Sequence, residues 1–143
     1  MSLGGHRKAL RAAVRAALAA DDRISGLNHI KAWFRATDPT QLPAYTVFLP
    51  RDPSQVADDT DIERRTVIQV IIKRTAGDDI EDELDDDVAA VEAAVLPMLR
   101  QLSGQIAPDL DGSEFSFSGE SKVLVGQAVV QFTAHLTQEI PQG

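Results

Sequence analysis

The chain of 143 residues contains no cysteine. That excludes disulfides, thiolate zinc sites and a cysteine nucleophile, and it fits a reducing compartment. No apolar run approaches the ~18 residues of a membrane-spanning helix, so no membrane partner is expected. Aromatics make up 5% of the chain, and Trp33 and Tyr45 are the only large polar aromatics. Two such rings are too few for a platform on which nucleic-acid bases stack. Basic residues are outnumbered, 14 Lys and Arg against 22 Asp and Glu, for a net charge of -8. An acidic domain is poorly suited to holding a polyanion, whose affinity comes mainly from neutralised phosphates.

The motifs of common chemistries are also missing. The three histidines, His6, His29 and His135, form no HxxxH or HxH pair, and His135 reads as a surface residue on the polar side of a strand. "GESKVLVG" has a glycine and a lysine but not the spacing that wraps a loop around phosphates. There is no GxSxG elbow. "DDTD", residues 58–61, offers oxygens without the spacing of a dedicated calcium loop, and reads as a solvated loop tip. No catalytic residue, cofactor or metal site is therefore expected, and a non-enzymatic role is. Arg11 and Arg15 interrupt the opening "MSLGGHRKALRAAVRAALAAD" as a signal segment, which favours a cytosolic reading.

What is present is one domain's worth of chain, with 43% hydrophobic and 25% charged residues as in ordinary globular folds. Its charge is polarised. Residues 1–36 hold seven Lys and Arg against two acids, a net of +5, whereas residues 52–92 hold fourteen acids against four bases, a net of -10. Such a molecule can associate with copies of itself, positive end toward negative end.

Hydrophobic periodicity predicts the order α-β-β-β-α-β-β. A first helix covers about 6–20, with Leu10, Val14, Ala17 and Leu18 on its buried face and Arg7, Arg11 and Arg15 aligned at i, i+4, i+8 on another. Strands follow at 29–34, at 42–50 between prolines, and at 64–74, where "RRTVIQVIIKR" is apolar on both faces as a central strand should be. Between the last two, "RDPSQVADDTD" predicts an extended, mobile arm over 51–61. After a second helix, Phe115 and Phe117 share one face of "FSFS", and "GQAVVQFTAHLT" (126–137) alternates cleanly. The expected fold is α+β: a mostly antiparallel sheet of about five strands with two main helices packed on one face.

"DDIEDELDDDV" (78–88) places eight acids in ten positions. Ile80, Leu84, Val88, Val91, Val95, Met98 and Leu102 keep the 3.6-residue period through it, so it reads as the opening of that second helix. Asp79, Asp82, Asp85 and Asp86 point away from the apolar arc, with Glu83 and Asp87 along its border. Asp78 is the expected N-cap, with Glu81 at capping-box spacing. Carboxylates here each gain ~0.3–1 kcal/mol from the helix dipole. They diverge around the cylinder, which is unsuited to a metal. Pro97 is expected to kink the last turns, with Gly104 as the stop.

"LPAYTVFLP", a polar arm, "ERRTVIQVIIKRTAGDDIEDELDDDVAAVEAAV" and the closing "KVLVGQAVVQFTAHLT" together resemble the tail terminator proteins of long-tailed bacteriophages, the lambda-type minor tail protein U group. The likeness covers most of the chain and lies in pattern, a strand ending in basic residues followed by an acidic helix. It implies a subunit of a homohexameric ring that caps the tail tube, ends addition of tube protein and presents a surface to the head–tail connector. It further implies assembly in the host cytoplasm, residence at the head-proximal end of the virion tail, and DNA only as passing cargo. Some members are held to respond to divalent cations, and here only "DDTD" and the acidic helix face could serve. Neck or head–tail joining proteins are the alternative, and a small Mg-dependent or ligand-binding α+β domain the second.

A closed ring needs two unlike surfaces per subunit. Arg7, Arg11 and Arg15 are the candidate basic surface, and Asp82, Asp85 and Asp86 the candidate acidic one. Arg51, Asp52, Gln55, Asp58, Asp59 and Asp61 are the candidate contacts of the arm with a neighbour or the tube.

Overall fold

A computed structural model of the chain describes residues 5–31, 39–104, 106–120 and 123–141. The fold is α+β, two helices on one face of a six-stranded, mostly antiparallel sheet. Helix α1 spans His6–Ala19 and α2 spans Ile80–Leu102. The strands are β1 (Asn28–His29), β2 (Ala44–Arg51), β3 (Ser54–Val56), β4 (Asp61–Thr75), β5 (Asp109–Glu120) and β6 (Val123–Glu139).

The spatial order is β1-β2-β4-β6-β5, with β3 pairing to the start of β4. The apolar run in β4 is thus central, held by β2 on one side and by β6 along its whole length, Asp61 to Glu139 through Thr75 to Val125. One pair departs from the antiparallel expectation: β1 runs parallel to β2, Asn28 opposite Ala44. Of the strand expected over 29–34, His29 lies in β1, Ile30 and Lys31 are outside any strand, and 32–34 lie outside the described residues.

Strand alternation decides the core. Tyr45, Val47 and Leu49 of β2, Ile68, Val70 and Ile72 of β4, and Ala128, Val130, Phe132 and Ala134 of β6 all point to the helical face. Leu10, Val14 and Leu18 of α1 and Leu84, Val88, Val91, Val95 and Leu99 of α2 close over them. Each fully buried Leu, Ile or Phe is worth ~1.5–3 kcal/mol over its exposed state. Ala17 is only half-buried and Leu102 is 47% exposed, because both lie past the arc that reaches the sheet. The final strand is longer than its alternation suggested, since β6 continues through polar residues as the partner of β4.

Helix α2 begins at the acidic run, one residue later than the capping-box spacing implied. Asp79 is the N-cap, and no side-chain hydrogen bond caps the helix, so the Asp78–Glu81 box does not form. The helix runs on through Pro97, and Ser103 N–H donates to the Leu99 carbonyl at its end. Close packing of α2 on β6 depends on Gly126. A Cβ there would lie 2.8 Å from Ile80 Cγ1 and 3.2 Å from Leu84 Cδ1.

Gly112 sets the phase of β5. Leu110 pairs with Phe132 and Phe115 with Ala128, both helix-facing positions, although 110 and 115 differ by an odd number. A bulge between Leu110 and Gly112 absorbs the extra residue, and Gly112 adopts φ 121°, a conformation natural to glycine. Without that bulge, Phe115 and Phe117 would project from the opposite face of the sheet.

Candidate subunit interface

Arg7, Arg11 and Arg15 do form one stripe, on the flank of α1 beside β2. Arg7 Nη2 donates to the Leu49 carbonyl at 2.5 Å, and the charge of Arg15 acts on His29 and Tyr45, eight helical residues further along. All three are half-buried. Arg7 Nε and Arg15 Nε are buried with no hydrogen-bond partner, and among the described residues no carboxylate lies within ion-pair distance of any of the three. Burial, then repulsion from Arg15 and Arg7, lowers the pKa of Arg11 below the usual arginine value. Burial and the positive charges of Arg15 and Lys31 likewise lower that of His29, whose ring lies 5.1 Å from Tyr45. Among the described residues, positive charge is crowded here without a counter-charge.

The acidic run divides in two. Asp87, expected on the helix border, is fully buried. Arg74 Nε and Nη2 donate to its two oxygens at 2.6 and 2.9 Å, and Arg23 Nε donates at 2.7 Å. Arg23 Nη2 also donates to the Glu83 carbonyl at 3.0 Å, and Glu83 Oε2 lies 3.5 Å from Arg74 Nη1. The Asp87 hydrogen bonds are the largest cause of the raised pKa of Arg74. Asp87 falls three residues after Leu84 and four before Val91, inside the apolar arc, which is the signal that it must turn inward. By contrast Asp82, Asp85 and Asp86 are exposed, as is Glu81.

Beside that exposed face, Phe115 and Phe117 are 44% and 45% exposed on the helical side of β5. With Glu81, Leu84 and Asp85 they line a depression of about 260 Å³. The sheet order sets the arginine stripe near the β1–β2 edge and this shelf at the β5 edge. At ~4.8 Å per strand they are separated by roughly 14–19 Å of sheet. Among the described residues, the two charged sets do not meet within one subunit.

The 51–61 segment is built of backbone pairings where an extended arm was expected. β3 pairs with Ile62–Arg64, Ala57 N–H donates to Asp61, and Arg65 N–H donates to Pro53. Asp58 closes the turn, accepting from Thr60 N, Thr60 Oγ1 and Asp61 N, and these bonds hold its pKa below the ordinary aspartate value. Arg51, Gln55 and Asp59 are exposed, with Gln55 Nε2 3.4 Å from Glu63, and Asp61 is half-buried. Asp52 turns inward instead. His6 Nε2 lies 2.5 Å from its Oδ2 and Thr66 Oγ1 donates to its Oδ1 at 2.7 Å, tying α1 to β4. That tie, spanning 46 residues of sequence, had no local signature.

His6 also lines a cleft of about 590 Å³ between α1 and the end of β6, walled by Leu10, Leu102, Leu136 and Ile140. On the helix-free face, His135 Nε2 bonds Asp109 at 2.9 Å, Thr133 donates to Asp111, and Gln69 donates to Gln131. Among the described residues no group of three or more His, Asp or Glu could hold a metal, and no helix is long and apolar enough to cross a membrane. Neither a family model nor a curated protein sequence matches the chain.

Proposed function

We propose that this chain is a structural assembly subunit that closes into a ring by head-to-tail contacts between copies. The observation that carries this reading is the arginine stripe at one sheet edge, which has no ion-pair partner among the described residues, and the exposed carboxylates at the other. One patch that needs a different patch on a neighbour repeats until rotation closes it.

The particular assembly we infer is the tail terminator of a long-tailed bacteriophage or phage-derived particle, a homohexamer that caps the tail tube and receives the head–tail connector. The sequence resemblance supports it, and so does the acidity of the chain. Six copies at -8 each make a negative conduit through which DNA slides without adhering. The protein works in the host cytoplasm during assembly and at the head-proximal end of the tail afterwards. Its chemistry is contact, without catalysis, cofactor or metal.

Light scattering on the eluting protein tests the class: a hexamer, formed in a concentration-dependent way, is expected, and a monomer at all concentrations would remove the ring. An in vitro tube-assembly assay tests the particular role. Added protein should shorten polymerising tubes and be found at one end only. A ring that leaves tube length unchanged but binds connector would move the assignment to a neck protein.

A further inference from the structure

We propose that the shelf made by Phe115 and Phe117 of β5 with Glu81 and Asp85 of α2 is a socket that receives Arg11 and Arg15 of a second copy of this chain. It rests on the ring reading only in requiring that copies associate.

The socket is built by specific features of the fold. The Gly112 bulge turns both phenylalanines to the helical side, where α2 ends its cover at Leu84 and Asp85. β5 is an edge strand, and residues 115–119, "FSFSG", contain no charge and no proline. Proteins guard such edges with lysine, proline or a covering element, because an apolar edge pairs with whatever fits it. Elsewhere β5 carries Asp109, Asp111 and Glu114, and the two half-exposed phenylalanines within it form an apolar patch that calls for a cover.

The carboxylates say what the cover must carry. A guanidinium stacked on a phenylalanine face and bonded to a carboxylate satisfies both halves of the shelf. The spacing agrees as well. Phe115 and Phe117 are two strand residues apart, ~6.7 Å. Glu81 and Asp85 are four helical residues apart, ~6 Å, and so are Arg11 and Arg15. Two arginines on one helix thus meet two ring–carboxylate pairs in register. Arg7, held by the Leu49 carbonyl, lies one turn further along and flanks the contact. The same subunit cannot make it, since its stripe and shelf lie at opposite edges of its own sheet.

The test uses two charge-reversed full-length chains. Arg11→Glu with Arg15→Glu gives a subunit acidic on both surfaces, and Glu81→Arg with Asp85→Arg gives one basic on both. Each alone should need a concentration on the order of a hundredfold higher to assemble, since like charges then face each other. Mixed in equal amounts, each acidic surface finds a basic one, and an alternating ring of the parent's mass is expected. Phe115→Ser with Phe117→Ser should stay monomeric with an unchanged circular dichroism spectrum. Reversed chains that each assemble like the parent, or folded reversed chains that fail to assemble when mixed, would overturn the socket while leaving the ring intact. A parent that is monomeric throughout would overturn both.

Discussion

Replacing Asp87 by Asn is the most direct test of how the acidic segment is used. The side chain keeps its size, so no cavity opens, but its geometry fails. Both carboxylate oxygens accept from guanidinium groups, at 2.6, 2.7 and 2.9 Å. An amide must turn its NH2 toward one of those donors. Breaking a buried ion pair by altering one partner costs ~3–5 kcal/mol. Arg23 and Arg74 are 37% and 16% exposed and can partly rehydrate, which favours the lower end, about 3 kcal/mol. With a urea slope of ~2 kcal/mol/M, the unfolding midpoint should fall by about 1.5 M. The matched control is Asp86→Asn, one residue earlier and exposed, which should stay within ~0.5 kcal/mol of the parent. Asp87→Leu with Arg74→Met should recover most of the loss, because a buried pair replaced by apolar groups is often neutral. A midpoint lowered by less than about 0.5 M in Asp87→Asn would mean that the carboxylate is not buried against two arginines.

Four further outcomes are expected. Gly126→Val should cost ~1–3 kcal/mol by overpacking against Ile80 and Leu84, read as a lower urea midpoint; an unchanged midpoint would mean that α2 does not rest on β6 there. Gly112→Val should cost a similar ~1–3 kcal/mol through φ 121° and should move Phe115 and Phe117 amide and ring signals in NMR spectra, whereas unshifted signals would remove the bulge argument. His29 should titrate below the ordinary ~6.5 by NMR, with Arg15→Gln raising it partway, since burial is the larger cause and Arg15 the next. A folded pKa depressed in a histidine means the neutral ring is favoured, so its stabilisation is whole above ~6.5 and is lost as pH falls through the folded value. Replacing residues 54–60 by a short Gly-Ser turn, leaving Asp52 to hold His6 and Thr66, should preserve folding by circular dichroism but abolish tube capping; retained capping would free the hairpin from that role.

The parts of this fold legible in the sequence are those fixed by period. Alternation in 126–137 and the apolar run of 66–72 placed β6 and β4 in the core, and the 3.6-residue repeat carried α2 through eight acids. What escaped was set by contacts between distant residues. His6 looked isolated because its partner, Asp52, lies 46 residues away. The 51–61 segment looked like a free arm because its pairing depends on β4 running on to Asp61, through a stretch, "DIERR", with little apolar content. The parity of β5 could not be read from "DLDGSEFSFS" without knowing that Gly112 takes a positive φ. The paired residues Phe115 and Phe117 were visible as one face, but the sheet edge and the end of α2 beside them were not.

The helical period divides the acidic segment into a paired, inward set and an exposed set. Asp87 and Glu83 sit three and one residues from Leu84 on the side that meets Arg74 and Arg23, so their charge is consumed within the fold. Asp82, Asp85 and Asp86 fall on the other arc and are exposed. The basic residues divide in the same way: Arg23 and Arg74 are paired inward, while Arg7, Arg11 and Arg15 have no carboxylate within ion-pair distance among the described residues. Stability and assembly should therefore respond to different acids only one or two residues apart. Asp87 substitutions should lower the unfolding midpoint before they affect self-association. Asp85 substitutions should weaken self-association at an unchanged midpoint.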